Sequence, residues 1–218
     1  MPRPHVTLKL ATSLDGKIAL ANGQSEWITG EKARAAGRKL RAEHDAIVIG
    51  ANTAVLDNPQ LTTRIDGEAD PIRVVFDTHL RMSPESNLVL TARDTPVIIF
   101  CKNDVSDAAK ALKRLGVQVL SLPHSEQGLD VNAALNVLHG QGIRQLLLEG
   151  GGTLAASFIR EKAVDVIEWF RAPIILGGDG RDAVGMLGLE NMNDAFKFDV
   201  IDSRLVGNDR HERYQRVI

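Results

Sequence analysis

The chain has 218 residues, 44% hydrophobic and 25% charged, with 26 Lys and Arg against 28 Asp and Glu for a formal net charge of -2. That balance is ordinary for a globular chain long enough to bury one substantial core, and it leaves no basic field for sequence-independent binding to nucleic acid or an anionic membrane. The lone Cys101 excludes an internal disulfide and, with no Cys/His cluster near it, a cysteine-based zinc site; the six histidines have no metal-ligand spacing, so no metal is expected.

The opening residues lack the basic start and apolar run of a signal peptide, and no later run approaches the roughly 20 apolar residues of a membrane span. A cytoplasmic protein with a small-molecule partner is expected. In chain order, Val6 to Ala11 reads as a buried strand, and Glu31 to His44 as a helix with Ala33, Ala36, Leu40 and Ala42 at roughly helical spacing and Thr29 available as N-cap. Short apolar runs bounded by Gly, Pro, Asp or Asn then predict strands over Ala46 to Gly50, Ile72 to Asp77 and Pro96 to Cys101. A helix over Ser106 to Leu115 stops at Gly116, and a strand follows at Val117 to Leu120. Val131 to His139 is helical, Arg144 to Glu149 a strand, Thr153 to Lys162 a helix and Val166 to Pro173 a strand.

Strands alternating with helices imply a mostly parallel sheet covered on both faces, because parallel neighbours need a crossover. Phe196 to Arg204 and Glu212 to Val217 have no helix between them and predict an antiparallel carboxyl-terminal edge. No repeat, low-complexity tract or linker divides the chain, so residues 1–218 are expected to form a single domain.

The sharpest chemical signal is the run from Leu146 to Ser157, where an apolar strand ending at Glu149 meets Gly150, Gly151 and Gly152 and a helix then begins near Thr153. Unpaired backbone N–H groups and the helix dipole would converge there as a phosphate cradle; the bland alternative is a tight turn whose glycines serve geometry alone. The pattern is neither Gly-x-Gly-x-x-Gly nor a Walker loop. A second cluster, Gly177, Gly178 and Gly180, is open between ligand approach and surface turn. Lys9 lies inside an apolar strand, either on a solvated edge or aimed into a cleft where it could polarise a carbonyl or imine. Trp27 is open between core and an aromatic platform beside a nucleotide. The segment Asn52 to Arg64 follows a strand ending at Gly50, where α/β sheets bind ligands, and Arg64 offers a planar fork suited to phosphate or to a surface ion pair.

Taken together and in order, the segments Leu8 to Ala19, Ser25 to Arg34, Leu40 to Arg64, Arg73 to Thr78, Leu146 to Phe158 and Ala172 to Gly180 resemble the carboxyl-terminal reductase domain of the bifunctional riboflavin-biosynthesis deaminase/reductase. The resemblance implies a fold similar to dihydrofolate reductase, a homodimer, and NADPH-dependent reduction of 5-amino-6-(5-phosphoribosylamino)uracil to its ribitylamino product. Carried over by residue, it implies NADPH contacts at Ala11, Trp27, Thr53, Asp57, Thr78 and the turn formed by Gly151, Gly152, Thr153, Leu154, Ala155, Ala156 and Ser157. It implies substrate contacts at Ser25, Arg41, Leu61, Arg64 and Glu149, with Lys9 and Glu149 as the charged pair nearest the reacting ribose carbon. The family commonly has Ser at the position of Thr78. For the cofactor's 2′-phosphate, Arg81 and Lys102, each after a strand, are the candidates.

The His-Ala-Glu and Pro-Cys-x-x-Cys motifs of the deaminase half have no counterpart in these residues, so neither zinc nor deamination is expected; a stand-alone reductase and an excised domain both fit. Two further readings stay open. One is a dihydrofolate-reductase-like enzyme of another pterin or pyrimidine, separable by comparing turnover of dihydrofolate. The other is a non-catalytic NADPH-binding module, which would bind the cofactor and never consume it.

Overall fold

The structure, a computed structural model, describes residues 2–217. In chain order it forms β1 (His5–Thr12), β2 (Lys17–Ala19), α1 (Glu31–Ala42), β3 (Ala46–Gly50), α2 (Ala51–Leu56), β4 (Ile72–Phe76), α3 (Asn87–Leu90), β5 (Val97–Cys101), α4 (Asp107–Arg114) and β6 (Gln118–Ser121). There follow the small hairpin strands β7 (His124–Ser125) and β8 (Gly128–Leu129), then α5 (Val131–Gly140), β9 (Gln145–Glu149), α6 (Gly152–Arg160), β10 (Val166–Arg171), β11 (Arg181–Asp182), a 3-10 turn at Met192–Asp194, β12 (Phe198–Val206) and β13 (Asp209–Arg216). The chain packs as two compact units, one holding Arg38–Leu147 with the residues up to His5, the other holding Val6–Gly37 and the chain from Leu148 onward.

In the first unit β3, β4, β5 and β6 lie side by side and parallel, with Val48 opposite Val74, Val75 opposite Ile99 and Phe100 opposite Leu120. Both faces of β3 and β5 are covered, which is why these two read as unbroken apolar runs. Ile47, Ile49, Val75, Ile99, Leu88, Leu112 and Leu147 belong to one buried core. Arg73 sits in β4 at 1% exposure, and its guanidinium donates to Thr91 Oγ1 at 2.7 Å and to the carbonyls of Thr91 and Thr95. Its two terminal nitrogens are thereby satisfied, which lets the charge be buried, while Nε is buried without a hydrogen-bond partner. Side chains start two helices of this unit: Ser106 accepts from the Ala109 N–H before α4, and Asp130 from the Ala133 N–H before α5.

In the second unit β1 runs parallel to β10, while β13 is antiparallel to β10 and β12 antiparallel to β13. The Gly207-Asn208 turn joins the last two strands directly, so no crossover is available and the pairing must be antiparallel. Lys9, Glu168 and Arg213 are register partners across β1, β10 and β13 and share one face. Glu168 is buried and pairs with His211 Nε2 at 2.6 Å and Arg213 Nε at 3.2 Å, and the His211 ring stacks on Phe170 at 4.3 Å. The fold is mixed α/β, mostly parallel and flanked by helices with an antiparallel carboxyl-terminal edge, as the alternation of patterns implies.

Differences from the sequence expectation are local. The carbonyl of Gly30 accepts the Arg34 N–H, which makes Gly30, not Thr29, the residue before α1; the Asp209 carboxylate takes the Gly30 N–H at 2.7 Å. The strand expected to reach Pro173 ends at Arg171, since proline has no N–H for the ladder. The six residues after β3 form α2, a helix absent from the sequence expectation.

Candidate active site

The second unit carries Lys9, Ala11, Ser25, Trp27, Glu149 and the turn from Gly151 to Ser157. Lys9 is half-buried in the middle of β1, and among the described residues its ammonium has no hydrogen-bond or ion-pair partner. Gly37 of α1 lies against it: a Cβ there would stand 3.5 Å from Lys9 Cε and 3.8 Å from Nζ, ordinary van der Waals contact. Glu168, its neighbour in register, is already committed to His211 and Arg213. Glu149 closes β9 at 8% exposure.

The glycines after Glu149 divide into two kinds. Gly150 and Gly151 have φ of +77° and +79°, a region that favours glycine, and they turn the chain into α6. Gly152 is helical, but a Cβ on it would lie 2.4 Å from the Asp182 carbonyl oxygen and 3.2 Å from the Gly185 nitrogen. The Gly185 N–H donates to the Gly152 carbonyl at 2.8 Å, so this glycine is required by the chain's own packing. Gly151 is the N-cap and provides no side-chain acceptor, which leaves the first N–H groups of the nine-residue α6 without an internal cap. An anionic group at that end would meet those donors and the positive end of the helix dipole. Ala155 and Ala156 are each 2% exposed and Leu154 9%, so only their backbone faces outward chemistry. Ser157 is engaged with the Thr153 carbonyl and the Arg160 guanidinium.

The second glycine cluster turns out to be an internal clamp. The N–H groups of Leu176 and Gly177 donate to the Asp15 carboxylate at 3.1 and 2.8 Å, and Ser13 Oγ donates to it at 2.6 Å. These hydrogen bonds, the Ser13 hydroxyl foremost, hold the Asp15 carboxyl down at about 2. Trp27 is 67% exposed rather than core, and the Arg34 guanidinium covers its ring at 4.4 Å. Ser25 is exposed in the turn before it, with its carbonyl accepting the Ile28 N–H.

The first unit carries Arg41, Thr53, Asp57, Leu61, Arg64 and Thr78. Three non-glycine residues of loop 57–64 have left-handed backbones, Asn58 at φ +39°, Leu61 at +58° and Arg64 at +52°. Each such conformation costs about 1–3 kcal/mol and persists only where surroundings over-determine it. Here they do. Asn58 is bonded twice to Asn87, Leu61 is anchored in the core, and Thr63 donates to Asp70 through its N–H at 2.7 Å and its hydroxyl at 3.1 Å. Arg41 Nη1 reaches the Thr62 carbonyl at 3.0 Å. The strained loop thereby presents Arg64 exposed and without an ion-pair partner among the described residues. Thr53 lies in α2 and its carbonyl accepts the Asp57 N–H, while the Thr78 carbonyl accepts that of Lys102. Among the described residues no group of three or more His, Cys, Asp or Glu is placed to hold a metal, and no helix is long and apolar enough to cross a membrane.

Sequence reasoning missed the strained loop, because leucine and arginine do not advertise left-handed backbone as glycine does. It also missed the Arg34 cover on Trp27, although the seven-residue spacing into a helix was available to suggest it.

A relative from Actinobacillus pleuropneumoniae named riboflavin biosynthesis protein RibD is 34% identical over 208 residues, 95% of this chain and 55% of its own length. The chain therefore spans about half the length of that relative. A Methanothermobacter thermautotrophicus protein named 2,5-diamino-6-ribosylamino-4(3H)-pyrimidinone 5′-phosphate reductase is 37% identical over 211 residues, 95% of both chains. The solved structure of Acinetobacter baumannii RibD superposes with a TM-score of 0.85 at 29% identity, covering 99% of this chain and 59% of that one. The family described as the RibD C-terminal domain matches residues 4–211, and the chain belongs to it.

Proposed function

We propose that this chain is an NADPH-dependent reductase of riboflavin biosynthesis, converting 5-amino-6-(5-phosphoribosylamino)uracil to 5-amino-6-(5-phosphoribitylamino)uracil. The observation that carries the reading is Lys9: a half-buried cation in the middle of a strand with no partner of its own among the described residues. Structural lysines are solvated or paired, and an unpaired one held against a helix glycine is poised to meet a charge that arrives with a ligand.

The residues fit the cofactor. The uncapped amino end of α6 and the side-chain-free turn at Gly150 and Gly151 suit a pyrophosphate approached by backbone N–H groups, and exposed Trp27 gives a flat face for a ring. Gly151 through Ser157, Ala11, Trp27, Thr53, Asp57 and Thr78 are assigned to it, with Leu154, Ala155 and Ala156 acting through their backbone. When bound, NADPH supplies the hydride.

The chain's part is placement and electrostatics. Reduction of the ribose C1 in its open, imine-like form leaves an electron pair on nitrogen, and Lys9 would stabilise that developing charge and hold the proton it takes up. Glu149 would bond the ribosyl hydroxyls or orient the lysine. Arg41, Arg64, Ser25 and Leu61 are assigned to the substrate, with the two guanidinium groups on the 5-phosphate and Leu61 acting through its backbone. We further place the protein in the cytoplasm as a homodimer of a single reductase domain, with no metal and no nucleic-acid partner.

A second reading is favoured by one observation: the archaeal relative, matched over 95% of both chains, is named for a diaminopyrimidinone phosphate substrate. The same Lys9 chemistry would serve that substrate, which keeps the amino group at C2. Offering both compounds and following loss of NADPH absorbance decides between them. No turnover of either, with NADPH bound, would leave a binding module.

A further inference from the structure

We propose that Arg213 and His211 are positioning residues for Lys9: by taking both oxygens of the buried Glu168 carboxylate they keep it from capturing the Lys9 ammonium, which stays available to the substrate. The inference rests on the reading of Lys9 given above. All four residues lie in the second unit.

Glu168 interrupts the apolar strand β10 in a buried position, and a carboxylate is removed from water only where donors or a cation answer it. The cation in register beside it is Lys9, on parallel β1, and strands so paired run about 4.8 Å apart with partner side chains on the same face of the sheet. A lysine stem spans that gap, so an ion pair between the two is what the register alone would give. The structure has a different arrangement, in which Glu168 is answered from its other side, by β13. His211 Nε2 bonds Oε2 at 2.6 Å and Arg213 Nε stands 3.2 Å from Oε1, one partner for each oxygen. Lys9 is left with no hydrogen-bond or ion-pair partner among the described residues.

The two partners are themselves held. The buried His211 ring stacks on Phe170 at 4.3 Å with the planes 3° from parallel, so it cannot turn from the carboxylate without losing that contact. Strand β13, which carries both residues, is paired with β10 on one side and β12 on the other. At its start, buried Asp209 takes the N–H of Gly30, the residue before α1, and Gly37 of that helix lies against Lys9. The charge of Arg213 cancels that of Glu168, and the charge of Lys9 remains uncompensated in a half-buried position. Negative charge that gathers in the transition state then finds an ammonium with no earlier claim on it, whereas a Lys9 already paired with Glu168 would have to give up that pair.

The test combines chemical labelling of Lys9 with single-turnover hydride transfer in the full chain, for the wild type, Arg213→Met, Glu168→Gln and Arg213→Met/Glu168→Gln. Labelling uses a limiting dose of acetic anhydride, with acetylation of Lys9 quantified by peptide mass spectrometry; an ammonium paired with a carboxylate gives up its proton less readily and reacts more slowly. Arg213→Met releases one oxygen of Glu168, so Lys9 labelling should fall roughly three- to tenfold and hydride transfer roughly ten- to thirtyfold. Removing the carboxylate as well should bring both readouts back to within about threefold of Glu168→Gln alone, a recovery that a merely structural role for Arg213 would not show. Arg213 is half exposed, and if Met there prevents folding, Arg213→Gln removes the same charge and carries the same expectation. Unchanged Lys9 labelling in folded Arg213→Met, or a loss that Glu168→Gln does not recover, overturns the proposal, and a wild type that oxidises NADPH then leaves the reductase reading standing. Labelling that follows the expectation in a wild type that oxidises no NADPH upholds the hold on Glu168 and overturns the reductase reading instead.

Discussion

Replacing Gly152 with alanine adds one methyl group at the start of α6, and the structure says where it must go. The new Cβ would stand 2.4 Å from the Asp182 carbonyl oxygen, 3.2 Å from the Gly185 nitrogen and 3.3 Å from the Ala183 carbonyl carbon, all of them backbone atoms that no rotamer can move aside. Alanine is otherwise the better helix former, by about 1 kcal/mol in a helix interior and less in a first turn. Forced overpacking costs about 1–3 kcal/mol, and pushing the 182–185 segment away also lengthens the 2.8 Å bond from the Gly185 N–H to the Gly152 carbonyl, about 1 kcal/mol more. The net expectation is a loss of about 2–3 kcal/mol, which lowers the melting temperature of a chain this size by roughly 4–12 °C. Thermal denaturation followed by circular dichroism measures it, with NADPH titration of the folded variant as control. An unchanged or raised melting temperature would show that Gly152 is not fixed by the neighbouring backbone and would return it to the ligand-approach role.

Three further outcomes follow from the same geometry. Arg64→Ala should lower kcat/KM for the phosphorylated substrate by about 2 kcal/mol, or roughly thirtyfold, and have little effect with a dephosphorylated substrate; equal losses with both would remove Arg64 from the phosphate. Asp15 has its carboxyl lowered from 3.8 to about 2, so its stabilising effect is fully present above the ordinary value and is lost as pH falls through the lower one. Melting curves of wild type and Asp15→Asn should accordingly differ most near neutral pH and converge between about pH 4 and 2, and a difference independent of pH would refute the clamp. His211→Ala strips Phe170 of its stacked ring and leaves buried Glu168 with Arg213 alone, a loss of about 3 kcal/mol in chemical denaturation; a change within 0.5 kcal/mol, as for ordinary surface substitutions, would show that the pair is not structural.

The strands β3, β5 and β9 were readable because a strand covered on both faces must be apolar throughout, and such runs are too short for helices. The end of α4 was readable for the same kind of local reason, since Gly116 supplies the left-handed backbone that stops a helix at φ +98°. Where the cause lay far along the chain, reading stopped. Gly152 looks like any other member of a glycine run, and only the arrival of Asp182 and Gly185 separates its role from that of Gly150 and Gly151. Glu168 and His211 are 43 residues apart and meet through the diagonal of an antiparallel ladder. The α2 helix escaped notice because its six residues carry no repeat of the apolar stripe and Gly50 gives no side-chain cap. As for the site, the strand placement of Lys9 and the turn after Glu149 were legible as positions. That Lys9 is unpaired among the described residues, while its neighbour Glu168 is occupied, was visible only once β10 and β13 lay beside β1.

The most direct test is a single-turnover reaction of wild type and Lys9→Met with NADPH and the phosphoribosylaminopyrimidine, using deuterated cofactor to identify the hydride step. The wild type should oxidise NADPH with a deuterium effect and yield the ribityl product. The variant should bind NADPH with little change and transfer hydride about two to four decades more slowly. Wild-type-like transfer in Lys9→Met, or no NADPH oxidation by the wild type, would contradict the assignment of this chain as a reductase built around Lys9.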